Sequence, residues 1–245
     1  MFTESPLAEL LCHNQHWVFE TSWKDPCLFK EMVAGQAPKV LWLGCSDSRV
    51  PESVITEAEP GQIFVARNIG GLFNPEDDSV VSVLEYAVQA LGVENVIVVG
   101  HTTCGGMITA AKAVMTGDGP PVGAIGRFLA PLMQLAKTLR EDEKVAKLEQ
   151  TAFVRLLTVA AIKQSMRQIA ATGIVKDNWA GKTSPLSGRV MSKISIHGWI
   201  HDLPTGKLKD LAVSLTPSEA TGSKLGNGRS SLARSESATQ TVLSS

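Results

Sequence analysis

The sequence predicts an α/β fold: a central, mostly parallel β-sheet with one antiparallel edge strand, flanked by helices and preceded by an N-terminal helical arm. Two observations lead to this prediction. Apolar, β-branched runs at 40–44 and 96–100 have the composition of buried parallel strands, and helical apolar spacing lies between them. Each run ends in a polar cluster, at 45–49 and at 101–104. Because ligands bind at the carboxyl ends of the strands in open α/β sheets, we expect these clusters to meet there.

The bulk composition is that of a globular protein. The 245 residues are 44% hydrophobic, with a mean hydropathy of +0.07, which is enough for a full core. The 23 basic and 24 acidic residues leave a net charge of −1 and form no charged block, so nothing indicates nucleic acid or a membrane surface as a partner. The N-terminal residues lack the pattern of a secretion signal or transit peptide, and we expect a cytoplasmic protein.

The first predicted elements are two short helices within residues 5–34, separated at Pro26. Their apolar residues fall on one broad face, made by Leu7, Leu10, Leu11, Trp17 and Val18. Either the chain's own core or a neighbouring subunit could cover this face. Cys12 and Cys27 in this arm are expected to be small, buried or half-buried residues. His13 and His16 are expected on the surface, although either could shuttle protons.

The sheet and its first helices are predicted next. Strands are expected at 39–44, 62–66 and 95–100, with a turn at Pro60-Gly61 between the first two. A helix at 78–91 should start at Asp78 or Ser79, since either side chain is a good cap. A further helix should run from Gly105 to about residue 115.

The second half contains helices, a hairpin and a tail. Helices are predicted at 126–140 and 145–171, a Gly/Ser/Pro-rich loop at 181–188, and antiparallel strands at 193–201 and 207–214. From residue 217 onward Ser, Thr, Gly and Ala dominate. We therefore expect a helical arm at 1–34, an α/β catalytic domain at 35–216 and a tail at 217–245.

The two polar clusters contain a possible metal-ligand set. His101 and Cys104 stand three residues apart, and Cys45 follows a different strand. Two Cys and one His leave a fourth position for water, which is typical of catalytic zinc, and we expect one Zn²⁺ per chain. A structural zinc with Asp47 as fourth ligand, or simply two buried thiols, remain alternatives. A redox pair is disfavoured because no Cys-x-x-Cys occurs.

Asp47 and Arg49 are spaced to form a bidentate ion pair. On an ordinary surface such a pair contributes little. Beside zinc, an ionised Asp47 could accept the proton of zinc-bound hydroxide and turn an oxygen lone pair toward an electrophile. Arg49 would keep Asp47 ionised and off the metal.

These motifs together resemble the β-class carbonic anhydrases over roughly residues 5–215. The matching stretches lie at 35–39, 41–51, 59–68, 85–88, 100–106 and 197–199. The resemblance implies zinc-dependent, reversible hydration of carbon dioxide to bicarbonate and a proton. It also implies Cys45, His101 and Cys104 as zinc ligands and Asp47–Arg49 as the orienting pair.

The resemblance implies further roles by position. The amide of Gln36 would contact substrate, and Phe64, Ile69 and Tyr86 would line an apolar pocket for carbon dioxide that is partly supplied by an adjacent subunit. Gly105 is also expected to bind substrate. Family members form a homodimer or a dimer of dimers in which N-terminal helices embrace the partner.

One position departs from the family pattern. Some members hold a regulatory bicarbonate on a Trp, an Arg and a Tyr. Trp42 and Arg67 match the first two residues, whereas His201 stands in the Tyr position. A regulatory site here would therefore need an imidazole as its third partner. His197, in the His-Gly-Trp stretch, is expected to be a hydrogen-bonded core residue.

Two other functions remain open at this stage. The same chemistry could hydrolyse a related heterocumulene, such as carbon disulfide or carbonyl sulfide. A zinc-bound bicarbonate sensor without turnover would be expected to lack Asp47, Arg49 or a ligand, and all are present.

Overall fold

The computed structural model describes residues 5–218, and they divide into two compact units at residues 37 and 38. The first unit contains helices α1 (Pro6–Lys24) and α2 (Leu28–Met32). Ser5 caps α1, because its side chain accepts a hydrogen bond from the Ala8 N–H at 3.2 Å, and Pro6 suits the first turn. The rings of Trp17 and Phe29 meet edge to face at 5.4 Å. No residue of α1 is buried.

The second unit is built on a five-stranded sheet. Its strands are β1 (Val40–Cys45), β2 (Ile63–Asn68), β3 (Asn95–His101), β4 (Ser195–Asp202) and β5 (Lys207–Leu215). Their order is β2-β1-β3-β4-β5; the first four are parallel, and β5 pairs antiparallel with β4. This confirms the predicted fold class.

Helices connect these strands. They are α3 (Glu52–Thr56), α4 (Asp78–Glu85), α5 (Gly105–Thr116), α6 (Ala124–Leu139), α7 (Glu143–Ala146), α8 (Gln150–Ala171) and α9 (Gly173–Trp179). A 3₁₀ turn at Ile69–Gly71 follows β2, and α4 continues as a π-helical segment, Tyr86–Leu91.

Apolar side chains alternate between the two faces of the sheet. Leu41, Leu43 and Val98 belong to the main core, whereas Trp42 and Val99 point to a smaller cluster on the opposite face. Helix α8 packs closely because two strand positions lack a side chain. A Cβ at Gly100 would lie 2.8 Å from Ile162, and one at Gly198 would lie 2.8 Å from Met166.

Several local predictions were wrong. The cap of α4 is Asp77, whose side chain accepts from the Ser79 N–H, rather than Asp78 or Ser79. The helix predicted at 145–171 is two helices, since Glu149 is extended (φ −61°, ψ 153°). Helices α3 and α9 were not predicted; Thr172 starts α9 by accepting from the Val175 N–H.

Two further expectations concern the first unit and the tail. Cys12 and Cys27 are exposed rather than buried or half-buried: Cys12 lies in α1 and Cys27 directly precedes α2, and neither helix buries a residue. The tail lies outside the described residues from 219 onward. In residues 5–218, no helix combines the length and the apolar character needed to cross a membrane.

Candidate metal centre

The three predicted ligands converge at the carboxyl ends of two adjacent parallel strands. Cys45 is the last residue of β1, His101 is the last residue of β3, and Cys104 stands just before α5. One ligand atom from each lies within 4.8 Å of the others, and all three residues are buried. Within residues 5–218, no other set of three or more Cys, His, Asp or Glu side chains brings its ligand atoms this close together.

The turn between His101 and Cys104 depends on an unusual backbone conformation. Thr103 has φ +54°, a left-handed value that non-glycine residues rarely adopt. This turn brings Cys104 back toward His101 and starts α5. The Cys45 sulfur and burial raise the pKa of Cys104; the N–H groups of Gly106 and Met107, at the start of α5, point at its sulfur and only partly oppose this rise.

The surroundings of His101 suit a metal ligand. Its Nδ1 lies 2.9 Å from the Thr102 carbonyl oxygen, to which it donates as an N–H. Its Nε2 is buried and has no hydrogen-bond partner among the described residues. A buried imidazole held by a carbonyl on one nitrogen, with the other facing two sulfurs, fits zinc coordination.

The two ligand sulfurs lie within hydrogen-bonding distance of each other. Cys45 Sγ and Cys104 Sγ are 3.9 Å apart. A hydrogen bond from the Cys104 thiol lowers the pKa of Cys45 to about 4, while the same bond, together with burial, raises the pKa of Cys104. The pair therefore already stabilises one thiolate, the form that binds zinc.

Asp47 and Arg49 form the predicted bidentate pair. Arg49 donates from Nε to Asp47 Oδ1 at 2.9 Å and from Nη2 to Asp47 Oδ2 at 2.6 Å. These bonds hold the pKa of Asp47 below its usual range, so the carboxylate is ionised at neutral pH. Asp47 Oδ2 lies 3.9 Å from His101 Nε2, so the carboxylate stands at the edge of the ligand group.

Arg67 holds the backbone that carries Cys45 and Asp47. Its Nε donates to the Cys45 carbonyl at 2.8 Å and its Nη2 to the Asp47 carbonyl at 2.6 Å. Its Nη1 lies 3.7 Å from Glu52 Oε2. Arg67 thus fixes the position of one ligand and of the carboxylate beside it.

The predicted substrate residues occupy several places. Phe64 and Tyr86 contact each other, with ring centroids 5.9 Å apart, and Tyr86 and Ile69 are partly exposed. Gly105 begins α5, where a Cβ would meet open space. Gln36 is exposed in the first unit.

The three candidate regulatory residues do not point at one space. Trp42 and His201 line a cavity of about 10 Å³ together with Cys45 and His101. Burial lowers the pKa of His201. The guanidinium of Arg67 is engaged on the Cys45 and Asp47 carbonyls instead. A regulatory bicarbonate stays a prediction.

The sequence reasoning missed three supporting residues: Glu52, Asn68 and Thr102. Asn68 exchanges two hydrogen bonds with the Leu72 backbone and so shapes the turn after β2. Thr102 Oγ1 accepts from the Leu203 N–H at 2.9 Å, which joins the ligand turn to the end of β4. Only the position of Asn68 and Thr102, just after or within a strand end, could have suggested these roles. His197 is hydrogen-bonded, as predicted, to Ser214 and Asn95.

Comparisons with known proteins show that this chain is similar to carbonic anhydrases. The sequence model of a family described as "Carbonic anhydrase" matches residues 40–208. A carbonic anhydrase of Emericella nidulans is 32% identical over 200 residues, which cover 82% of this chain and 81% of that protein.

Two solved structures of β-carbonic anhydrases also resemble this chain in fold and in sequence. The β-carbonic anhydrase CafA of Aspergillus fumigatus aligns with a TM-score of 0.72 and 31% identity, over 87% of this chain and 94% of that one. A structure from a study of two tetrameric β-carbonic anhydrases of Sordaria macrospora aligns with a TM-score of 0.74 and 28% identity, over 87% of this chain and 100% of that one.

Proposed function

The chain belongs to the β-class carbonic anhydrases, and from this premise we propose that Cys45, His101 and Cys104 hold one zinc ion beside which Asp47 and Arg49 orient the attack of water on carbon dioxide. One observation carries the proposal: the three buried ligand side chains lie beside the Asp47 carboxylate, which is ionised and forms a bidentate ion pair with Arg49. The family's reaction, the interconversion of carbon dioxide and bicarbonate, needs both parts.

The donor set supports zinc as the metal. Zinc prefers tetrahedral sites with sulfur and nitrogen ligands, and three protein ligands leave one position for water or substrate. When bound, zinc acts as a Lewis acid and lowers the pKa of water toward neutrality, which supplies the nucleophile. The Thr102 carbonyl would keep the His101 ring in the tautomer that leaves Nε2 free for the metal.

Asp47 orients the nucleophile by accepting a hydrogen bond. Because Arg49 keeps the carboxylate ionised, an oxygen of Asp47 can accept a hydrogen bond from the attacking O–H, which keeps its proton, and so direct an oxygen lone pair toward the carbon of the substrate. Arg49 also competes for the carboxylate and so holds Asp47 away from the metal. Without this restraint the carboxylate could reach the position that the substrate needs.

The substrate would enter across an apolar surface beside this pair. Carbon dioxide has no net dipole and favours such a surface, whereas bicarbonate is an anion that water solvates better. We assign Phe64, Ile69 and Tyr86 to this surface. The backbone N–H of Gly105, at the start of α5, and the amide of Gln36 would contact the oxygens of the substrate or the product.

We also propose a homodimer or a dimer of dimers. Helix α1 exposes Leu7, Leu10 and Leu11, each more than 60% accessible, which is an unusual amount of apolar surface for one helix. A tetrameric relative supports this assembly. The proposed division of the chain is an arm at 1–34, the catalytic domain at 35–216 and a tail at 217–245. All four cysteines are free, which fits a reducing, cytoplasmic location.

Two measurements on the purified chain test the proposed function. Metal analysis should find one zinc per chain, and stopped-flow detection of proton release should show rapid hydration of carbon dioxide between pH 6.5 and 9. Removal of zinc with a chelator should abolish the hydration, and added zinc should restore it. Bound zinc without hydration would favour a sensor, and faster turnover of carbon disulfide or carbonyl sulfide would favour the heterocumulene hydrolase.

A further inference from the structure

One side of α1 carries five potential metal ligands that the catalytic centre does not use. They are Glu9, Cys12, His13, His16 and Glu20. At 3.6 residues per turn they fall within an arc of about 100° around the helix. The apolar residues Leu7, Leu11 and Val18 fall on the opposite side of the helix, whereas Trp23 falls within this arc and Phe19 falls beside it.

Cys12 and His16 have the spacing of a chelating pair. They stand four residues apart on a continuous helix, so their Cβ atoms are about 5–6 Å from each other. Helical metal sites with two His ligands use the same spacing. A thiolate bonds zinc at about 2.3 Å and an imidazole at about 2.0–2.1 Å, so one ion can reach both.

The surroundings favour a cation. Residues 5–23 contain no Lys or Arg, while Glu9 and Glu20 add negative charge to the same side of the helix. The side chains of Cys12, His13 and His16 are exposed. Within residues 5–218, no hydrogen bond or ion pair engages these three side chains, so none must be broken for a metal to bind.

We propose that α1 carries a second metal site, in which the Cys12 thiolate and the His16 imidazole bind one divalent ion of the zinc class. Binding releases the thiol proton of Cys12, and water completes the coordination. Glu9 and Glu20 attract the ion without being required as ligands. An ion bound in this way bridges successive turns of α1 and stabilises the helix.

The test uses the full chain with zinc in its catalytic centre and cobalt(II) as the probe. Cobalt bound to a thiolate gives a charge-transfer absorption in the near ultraviolet, which water and imidazole ligands do not produce. The wild type, Cys12→Ser, His16→Gln and the matched control Cys27→Ser would be titrated under a phosphine reductant. Cys27 is also exposed in the first unit, but Trp23 and Glu31, rather than a His, stand four residues away from it.

We expect one cobalt per chain in the wild type and in Cys27→Ser, with the thiolate band. Cys12→Ser should lose the band, and His16→Gln should weaken cobalt binding by about tenfold or more because the second ligand of a chelate binds intramolecularly. His13→Gln should retain the band. The proposal is overturned if the wild type gives no band, if Cys12→Ser keeps it, or if Cys27→Ser alone removes it. Carbon dioxide hydration by the zinc-loaded chain is measured separately and should be equal in the wild type, Cys12→Ser and Cys27→Ser.

Discussion

The two turns that supply the metal ligands are held in different ways. Loop 1, residues 45–50, contributes one ligand. The guanidinium of Arg67, on β2, holds the backbone of this loop with two hydrogen bonds. Loop 2, residues 101–104, contributes two ligands, and its shape comes from the left-handed Thr103 and from the bond between Thr102 and the Leu203 N–H. Loop 1 also carries the Asp47–Arg49 pair, whereas loop 2 carries no charged side chain.

This difference indicates that the two loops have different roles. Loop 2 is a compact two-ligand turn in which Thr102 is tethered to the end of β4: its Oγ1 accepts from the Leu203 N–H and its own N–H donates to the His201 carbonyl. Loop 1 must place a ligand and a carboxylate at the same time. The long cationic side chain of Arg67, from the neighbouring strand, fixes the positions of the Cys45 and Asp47 carbonyls. Changes in loop 1 should therefore affect the chemistry, while changes to the tether of loop 2 should affect stability.

The largest effect should come from the ligands, where the two loops should behave alike. Cys45→Ala, His101→Ala and Cys104→Ala should each lose the metal and reduce kcat/KM by about 10³-fold or more, since the nucleophile depends on zinc. Metal analysis and stopped-flow hydration measure both effects. A variant that keeps one zinc per chain and the wild-type rate would remove that residue from the ligand set.

Asp47→Asn should separate chemistry from metal binding. The amide is the same size but is uncharged, accepts hydrogen bonds more weakly and replaces one acceptor oxygen by a donor, so kcat should fall by about 10²–10⁴-fold while zinc stays bound. Ser48→Ala, an exposed change in the same loop, is the matched control and should leave kcat unchanged. Equal activity of Asp47→Asn and the wild type would mean that the Asp47–Arg49 pair is only an ion pair.

Arg67→Gln tests whether the Arg67 side chain positions the backbone of loop 1. Loss of both carbonyl contacts should lower zinc affinity or kcat/KM by about 10–100-fold, the usual effect of a residue that supports a metal ligand. The control is Lys39→Gln, which removes a cation from the exposed Lys39–Glu94 pair. If the two variants behave alike, Arg67 acts through charge alone rather than by positioning the loop.

Thr102→Val should affect folding more than catalysis. It leaves the Leu203 N–H without its side-chain acceptor, which should lower the free energy of unfolding by about 1–3 kcal/mol. The ligands and the Thr102 carbonyl remain, so kcat should stay at the wild-type value. Denaturant titration and stopped-flow assays provide the two readings, and a loss of activity larger than the loss of stability would contradict the division between the loops.

The smallest effect should be the pH dependence that Asp47 contributes to stability. Arg49 holds the pKa of Asp47 below the value of about 3.9 expected in the unfolded chain. The stabilisation is therefore complete above that pH and is lost as the pH falls through the folded pKa. In metal-free protein, the advantage of the wild type over Asp47→Asn should begin to shrink below about pH 4 and should keep shrinking as the pH falls toward the folded pKa. A difference that does not change with pH would mean that the pKa is not depressed.

Much of this protein follows from local sequence pattern. The strand at 40–45, the strand at 95–101 and the closing hairpin have a period and composition that few other conformations accommodate, and their polar ends predicted where the site lies. The residue types Cys, His and Cys were enough to suggest zinc, and the spacing of Asp47 and Arg49 was enough to suggest their pair. These features depend on neighbours along the chain.

The remaining features depend on neighbours in space. Arg67 reaches loop 1 because β2 lies beside β1 in a register that pairs Cys45 with Asn68, and no local pattern encodes that register. Glu52 and Thr102 acquire their roles in the same way. Cysteine is a residue type that is often buried, yet Cys12 and Cys27 are exposed, because burial depends on which surfaces pack together. The sequence by itself determined the elements and the chemistry of the donors; the tertiary structure decided which side chains hold those donors in place, since that requires contacts between distant parts of the chain.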